Sequence, residues 1–223
     1  MKTIELKNIS KDFKIGEQLV NILKPTTLTI NEGEFIALIG PSGSGKSTLL
    51  TIIGALQKPT NGDLMINGKN ISQLTNKELT QLRFDEIGFI LQASNLVPYL
   101  TIQEQFELQY RFNKEKINFK KIDETLDNLG IKQLKHKYSE EISGGERQRA
   151  AVGLALIKEP KIILADEPTA SLDTKKAFEI MAIFKEITEK TKTTIIVVTH
   201  DLRILDNCDR ILTMNDGILS EQN

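Results

Sequence analysis

Phe35-Ile36-Ala37-Leu38-Ile39-Gly40-Pro41-Ser42-Gly43-Ser44-Gly45-Lys46-Ser47-Thr48 is the stretch that decides the fold. Its first five residues are continuously apolar, which suits a strand buried on both faces. The next eight match G-x-x-x-x-G-K-[ST] in full, and Ser47 to Ile53 behind them is compatible with a helix. A phosphate group needs this order of strand, glycine-rich turn and helix start. Glycines let successive backbone N–H groups turn inward around an anion, and the helix N-terminus adds partial positive charge. Lys46 can reach the β- and γ-phosphates of a nucleotide, and the Ser47 hydroxyl can ligate Mg²⁺. A glycine-rich turn with a stray lysine would not come with both strand and helix in place.

Outward from this stretch, strand-like and helix-like segments alternate, the pattern of an α/β fold with a largely parallel sheet. Upstream, Ile4 to Lys7 and Leu28 to Ile30 alternate apolar and polar residues, so the chain opens as half-buried β structure. Leu64-Met65-Ile66 reads as a short strand between the turns Asn61-Gly62 and Asn67-Gly68. Ile87 to Leu91 is another strand, with a loop at Ala93-Ser94-Asn95. From Thr101 to Tyr138 the character changes: Lys, Glu and Gln abound, and Ile122, Leu126 and Leu129 share one helix face. Three further strands follow, at Ile162 to Ala165, Thr194 to Val198 and Arg210 to Met214, with a helix from about Asp173 to Lys190 between the first two. This predicts one α/β domain over residues 1–223. Its core spans 1–92 and 157–223, and a helical insertion occupies about 93–156.

The 29 Lys and Arg against 30 Asp and Glu give a net charge of −1, which supplies no global attraction to nucleic acid or to an anionic bilayer. No nucleic-acid partner is expected. The apolar runs are far shorter than the roughly 20 residues of a membrane span, and Met1 to Leu6 lacks the apolar segment of a secretory signal. Cys208 is the only cysteine, so neither an internal disulfide nor a multi-cysteine zinc site is available. The expectation is a cytoplasmic chain.

Ile162-Ile163-Leu164-Ala165-Asp166-Glu167 is an apolar strand ending in two carboxylates. A strand tip beside a phosphate loop is where a second Mg²⁺ contact would lie, and Asp166 is the natural candidate. Adjacent strand residues point to opposite faces, so Glu167 is expected to project differently and to orient or deprotonate an attacking water. Ile142-Ser143-Gly144-Gly145-Glu146 then resembles Leu-Ser-Gly-Gly-Gln, the signature of the ATP-binding subunits of ABC transporters. The same residues also form a capping box, Ser143 with Glu146, and both readings can hold together. Ile142 for Leu and Glu146 for Gln are departures, the second adding negative charge. Leu154 stands where the family usually has Arg.

The resemblance runs over almost the whole chain and implies the rest of the site. Gln92 looks like the glutamine that contacts Mg²⁺ and water and reports on the membrane partner. Ser171-Leu172-Asp173 resembles the loop that crosses the dimer interface, and His200 resembles the switch histidine at the γ-phosphate. Phe13 sits where the family stacks an aromatic on adenine, although an ordinary β-sheet core Phe explains it equally well. Gly40, Pro41, Ser42, Gly43, Ser44, Gly45, Lys46, Ser47 and Thr48 would bind ATP. Ser143, Gly144, Gly145, Glu146 and Asp173 would meet the ATP of a second copy. Catalysis would rest on Glu167, His200, Gln92 and Lys46, and Mg²⁺ on Ser47, Gln92 and Asp166.

The implied function is an ATPase that forms a homodimer on binding ATP and drives a separate integral-membrane permease, peripheral to the inner face of the membrane. A GTPase or small-molecule kinase would leave the signature without a role, and no Asn-Lys-x-Asp guanine motif is present. Soluble ABC proteins acting on ribosomes or DNA generally carry two cassettes or long coiled-coil insertions. Ile87 to Gln92 and Asn95 to Thr101 are similar to the lipoprotein-release and macrolide-exporter branch, whose permeases have few spans and a large extracytoplasmic domain. Leu96 to Leu100, Glu104-Gln105 and His200-Asp201-x-Arg203 look most like hemin-efflux ATPases. An exporter is therefore expected, with a force-transmitting complex that moves no solute as the alternative.

Overall fold

The structure is a computed structural model that describes residues 1–112 and 114–221. Two long strands, β1 (Lys2–Ile15) and β2 (Gln18–Asn31), open it as an antiparallel pair. The apolar run becomes β3 (Phe35–Ile39), buried at every residue, and the glycine loop leads into α1 (Lys46–Ile53). β4 (Asn61–Ile66) and the short β5 (Lys69–Asn70) complete a four-stranded antiparallel sheet in the order β2-β1-β4-β5. Next come α2 (Asn76–Glu86) and β6 (Ile87–Ile90). The lysine- and glutamate-rich block then folds as α3 (Ile102–Phe112) and α4 (Phe119–Asn128), and α5 (Gly144–Leu156) follows. The chain closes with β7 (Ile162–Asp166), α6 (Thr174–Thr191), β8 (Thr194–Val198), β9 (Arg210–Asn215) and β10 (Ile218–Glu221).

A second sheet, of six strands, runs in the order β10-β9-β3-β8-β7-β6. It is parallel from β9 to β6, and β10 is antiparallel at one edge. Parallel strands need crossovers, which cover both faces, so their residues are apolar without alternation. β8 is buried throughout, and β7 is buried up to Asp166. Register places the site. Leu38 and Asp166 both pair with Val198, so the loops after β3, β7 and β8 leave from one edge of the sheet. Ligands of open α/β sheets lie outside that carboxyl edge.

The core has two layers. The antiparallel sheet, α1 and α2 pack on one face of the parallel sheet, whereas α3 to α6 pack on the other. The helical block has no separate core: Phe106, Ile122 and Leu126 share a cluster with Phe35, Ile163 and Val197. Phe184 of α6 meets Phe35 edge-on, with ring centroids 6.2 Å apart at 88°, and both are fully buried. Phe184→Ala removes that contact and opens a cavity. It should destabilise the chain by about 3–5 kcal/mol, read as a lower midpoint in urea unfolding.

Candidate nucleotide site

Gly40 and Gly45 fix the shape of the phosphate loop. Gly40 has φ 145°, and a Cβ there would lie 2.1 Å from the Met214 carbonyl oxygen. Gly45, at φ 104°, would bring a Cβ to 2.9 Å from the Ile22 carbonyl. No other residue type fits either place. Gly45 is also the N-cap of α1 and offers no side-chain acceptor, so the N–H groups that open α1 stay free to bind an anion. The Lys46 ammonium donates to the carbonyls of Gly40 and Pro41 at 2.8 Å each, which holds it across the loop. Ser44 Oγ is buried without a partner. Ser47 is exposed and Thr48 half-buried at the helix start. Uncapped donors, a held ammonium and an orphaned hydroxyl suit a polyphosphate.

At the neighbouring strand tips, Asp166 ends β7 half-buried at the same edge of the sheet. Glu167 corrects the expectation of simple strand alternation. β7 has already ended, and Glu167 adopts φ 50°, the left-handed region, while its N–H donates to the Val198 carbonyl at 2.9 Å. The turn, not the pleat, aims its side chain. A non-glycine residue held there costs energy, as it does at Ala55 and Glu159 elsewhere in the chain. Glu167 Oε2 lies 2.9 Å from His200 Nδ1, without the alignment of a hydrogen bond, and is otherwise buried and unpaired. The His200 side chain is 72% exposed, so the imidazole faces outward while the Glu167 carboxylate stays largely buried.

Ser143 caps α5 and Glu146 completes the capping box. Ser143 Oγ accepts from the Glu146 N–H at 3.4 Å, and the Glu146 carboxylate accepts from the Ser143 N–H at 2.7 Å. The hydrogen bonds from Ser143 hold the Glu146 carboxyl below the usual carboxylate value, and the nearby Lys176 and Arg149 add to the effect. The extra negative charge of this signature is therefore tied down at the helix start. The Lys176 side chain lies over Gly145, within 2.8 Å of where a Cβ would stand, and its ammonium sits 3.2 Å from Asp173. Asp173 caps α6 by accepting from the Lys176 N–H at 3.0 Å.

Gln92 is exposed after β6 and lines a cleft of about 390 Å³ together with Gly144, Gln148 and Ser171. The structure thus gathers the sequence-derived residues into two groups. Gly40 to Thr48, Asp166, Glu167 and His200 share the carboxyl edge of the sheet, while Gln92, Gly144 and Ser171 share the cleft. Among the described residues, no hydrogen bond joins Ser143–Glu146 to Gly40–Thr48. Phe13 belongs to neither core layer. Its ring is half-buried on β1 opposite Val20, with the Lys11 ammonium 5.2 Å from its centroid. That removes the ordinary core explanation. Sequence reading missed the left-handed turn at Glu167, the Lys176 cover on Gly145 and a clamp from Arg203 to Thr174. Each joins residues distant in sequence or depends on backbone conformation, and none carries a local signal.

The family described as ABC transporter matches residues 23–170. The uncharacterized ABC transporter ATP-binding protein MJ0796 of Methanocaldococcus jannaschii is 41% identical over 220 residues, covering 96% of this chain and 94% of that protein. Its structure, described as a dimeric post-hydrolysis state bound to ADP and Pi, superposes with a TM-score of 0.90 at 39% identity over 99% of each chain. The putative hemin import ATP-binding protein HrtA of Staphylococcus haemolyticus is 42% identical over 96% of this chain and 97% of its own. The macrolide export ATP-binding/permease protein MacB of Bdellovibrio bacteriovorus is 38% identical over 97% of this chain, which spans 33% of it.

Lys46→Ala removes the one ammonium held across the loop. Phosphate release from Mg-ATP by the purified variant should fall to background, with the fold intact by circular dichroism.

Proposed function

This chain belongs to the ABC transporter family as one of its ATP-binding subunits, and on that premise we propose that two copies close around two ATP molecules to drive a separate membrane permease. It binds and hydrolyses ATP. The observation that carries the dimeric reading is the split of the site. The chain has a phosphate loop with free donors and a second glycine-rich helix start at Ser143. No hydrogen bond joins the two among the described residues. A second copy turned about a two-fold axis would bring each signature to the other's loop, and such closed pairs are the commonest symmetric assembly. The dimeric, ADP- and Pi-bound relative supports the same reading.

Within that arrangement, the N–H groups of Gly40–Thr48 and Lys46 hold the phosphates, and Phe13, on the strand paired with the β2 segment that packs on Gly45, stacks on adenine. Ser47 and Asp166 would hold Mg²⁺, which when bound neutralises phosphate charge, and Gln92 would join them by turning from the cleft it lines in this structure. Glu167 takes the proton of the attacking water, with His200 beside it at the γ-phosphate. Ser143, Gly144, Gly145 and Glu146, with Asp173, cap the nucleotide of the partner.

Residues 93–156 serve as the helical subdomain, and roughly Ala93 to Tyr138 of it docks the permease. A cleft of about 290 Å³ between β6, α3 and α5 supports this. It is lined by Phe89, Leu91 and Leu154, with Arg83, Gln109 and Lys158 also bordering it. Leu154, in the place of the family's Arg, makes that lining more apolar. Among the described residues no helix is long and apolar enough to cross a membrane, which fits a permease on another chain and a peripheral cytoplasmic position. The loop motifs favour a permease with few spans and a large extracytoplasmic domain, exporting hemin or another amphipathic compound. The named relatives include one for macrolide export and one for hemin import, so reconstitution with the neighbouring permease gene product decides cargo and direction.

Two measurements test this reading. Glu167→Gln should bind ATP, lose about 10²–10⁴-fold of turnover, and accumulate as an ATP-bound dimer on size-exclusion chromatography with Mg-ATP. A monomeric, ATP-bound variant would contradict the shared site. Cysteine crosslinking from the exposed Val97 or Tyr99 should capture a cytoplasmic segment of the permease. Contacts confined to Ile4–Ile30 would move the docking surface elsewhere.

A further inference from the structure

We infer that Arg203 is a positioning residue that clamps the His200 loop to the first turn of α6, so that His200 and Asp173 keep one relative placement during turnover. The inference rests on the shared-site reading above. Its basis is a continuous set of hydrogen bonds. Arg203 Nε donates to Asp201 Oδ1 at 2.8 Å and Nη2 to Asp201 Oδ2 at 2.7 Å. The Arg203 backbone N–H adds a third bond, to Oδ1, at 3.0 Å. Nη1 reaches 29 residues back in the chain, to Thr174 Oγ1, at 3.0 Å. Thr174 is the first residue of α6, directly after Asp173.

The other end of the chain of bonds is anchored in the sheet. The Asp201 N–H donates to Thr199 Oγ1 at 3.1 Å, and Thr199, fully buried, donates its own N–H to the Leu38 carbonyl at 3.2 Å. His200 therefore lies between a residue fixed to β3 and one fixed to α6. Three donors of a planar guanidinium are used in fixed directions, a geometry that a lysine ammonium cannot reproduce. Arg203 touches no reacting atom. Its effect would pass through Asp201 to the imidazole and through Thr174 to the Asp173 turn. Among the described residues, α6 and the turn of residues 202–207 also pack together, and Lys185 of α6 donates to Asp209 just past that turn at 2.7 Å.

The test compares Arg203→Ala, Arg203→Lys, Thr174→Val and Thr174→Ser in the purified full chain, by steady-state phosphate release from Mg-ATP. Misplacement of about 1 Å remote from the chemistry can cost on the order of 10² in rate. Arg203→Ala, Arg203→Lys and Thr174→Val should each lower kcat about fivefold to tenfold within that limit, with KM for ATP within about twofold. Thr174→Ser keeps the acceptor and should behave as the unaltered protein. Arg203→Ala with Thr174→Val should be no worse than the more affected single variant. Unchanged kcat in Arg203→Ala, full rescue by Arg203→Lys, or additive losses would overturn the clamp. His200→Ala and Asp173→Ala run alongside. Lost turnover in these with normal turnover in Arg203→Ala rejects the clamp alone. Normal turnover in both controls rejects the shared-site reading and the clamp with it.

Discussion

The carbonyl oxygens of Met214 and Ile22 close on the loop between β3 and α1, and the site depends on that contact. They leave no room for a Cβ at Gly40 or Gly45, so the loop can only be glycine at those points. Lys46 then crosses the loop on its own carbonyls instead of extending into solvent. The antiparallel sheet is more than an N-terminal ornament in this respect. Ile22 comes from β2, and the Gly217 N–H donates to the Ser44 carbonyl while Lys24 donates to the Gly217 carbonyl. The two sheets meet at the phosphate loop.

Charge is handled locally in the same way. An acidic signature would weaken an anion-binding helix start if its carboxylate were free. Glu146 instead turns back onto the Ser143 N–H, and Lys176 and Arg149 stand near. Lys176 serves two turns at once, covering Gly145 with its alkyl stem and meeting Asp173 with its ammonium. Snorkelling of this kind lets one exposed lysine pack on one loop and pair with another. The start of α5 and the start of α6 are thereby held next to each other, though their sequences are separated by all of β7.

Most of the fold was legible because the parallel strands are so uniformly apolar. Phe35–Ile39, Ile162–Ala165 and Thr194–Val198 each appear as strands where the sequence places them, and the 122, 126, 129 spacing is a buried helix face. Differences fall at ends. β6 stops at Ile90, leaving Leu91 exposed, and α6 begins at Thr174 because Asp173 is spent as its cap. The site residues were legible where chemistry is encoded locally, as in the phosphate loop and the capping box. Glu167 was not, since pleat alternation says nothing about a residue that leaves the strand through a left-handed turn. The helical insertion was legible as helix, but its union with the sheet core was not. Only the folded register brings Phe106 and Ile122 into the same layer as Phe35 and Val197.

That union bears on how hydrolysis reaches a membrane partner. A helical block with its own core could tilt freely on its linkers, whereas this one shares buried side chains with β7 and β8, the strands that lead to Glu167 and His200. Packed cores respond to small displacements by moving as units or switching between discrete arrangements. β6 contributes to both ends of such a path. It pairs with β7, whose tip presents Asp166, and it borders the cleft of mixed polarity against α5, whose first residues form the signature. Gln92 follows β6 by only one residue and opens onto the cleft shared with Gly144 and Ser171. Closure of a second copy on the signature would thus press on α5. The strand beside it leads directly to Gln92, and the same short edge strand would carry the displacement to whatever occupies the cleft lined by Phe89 and Leu154.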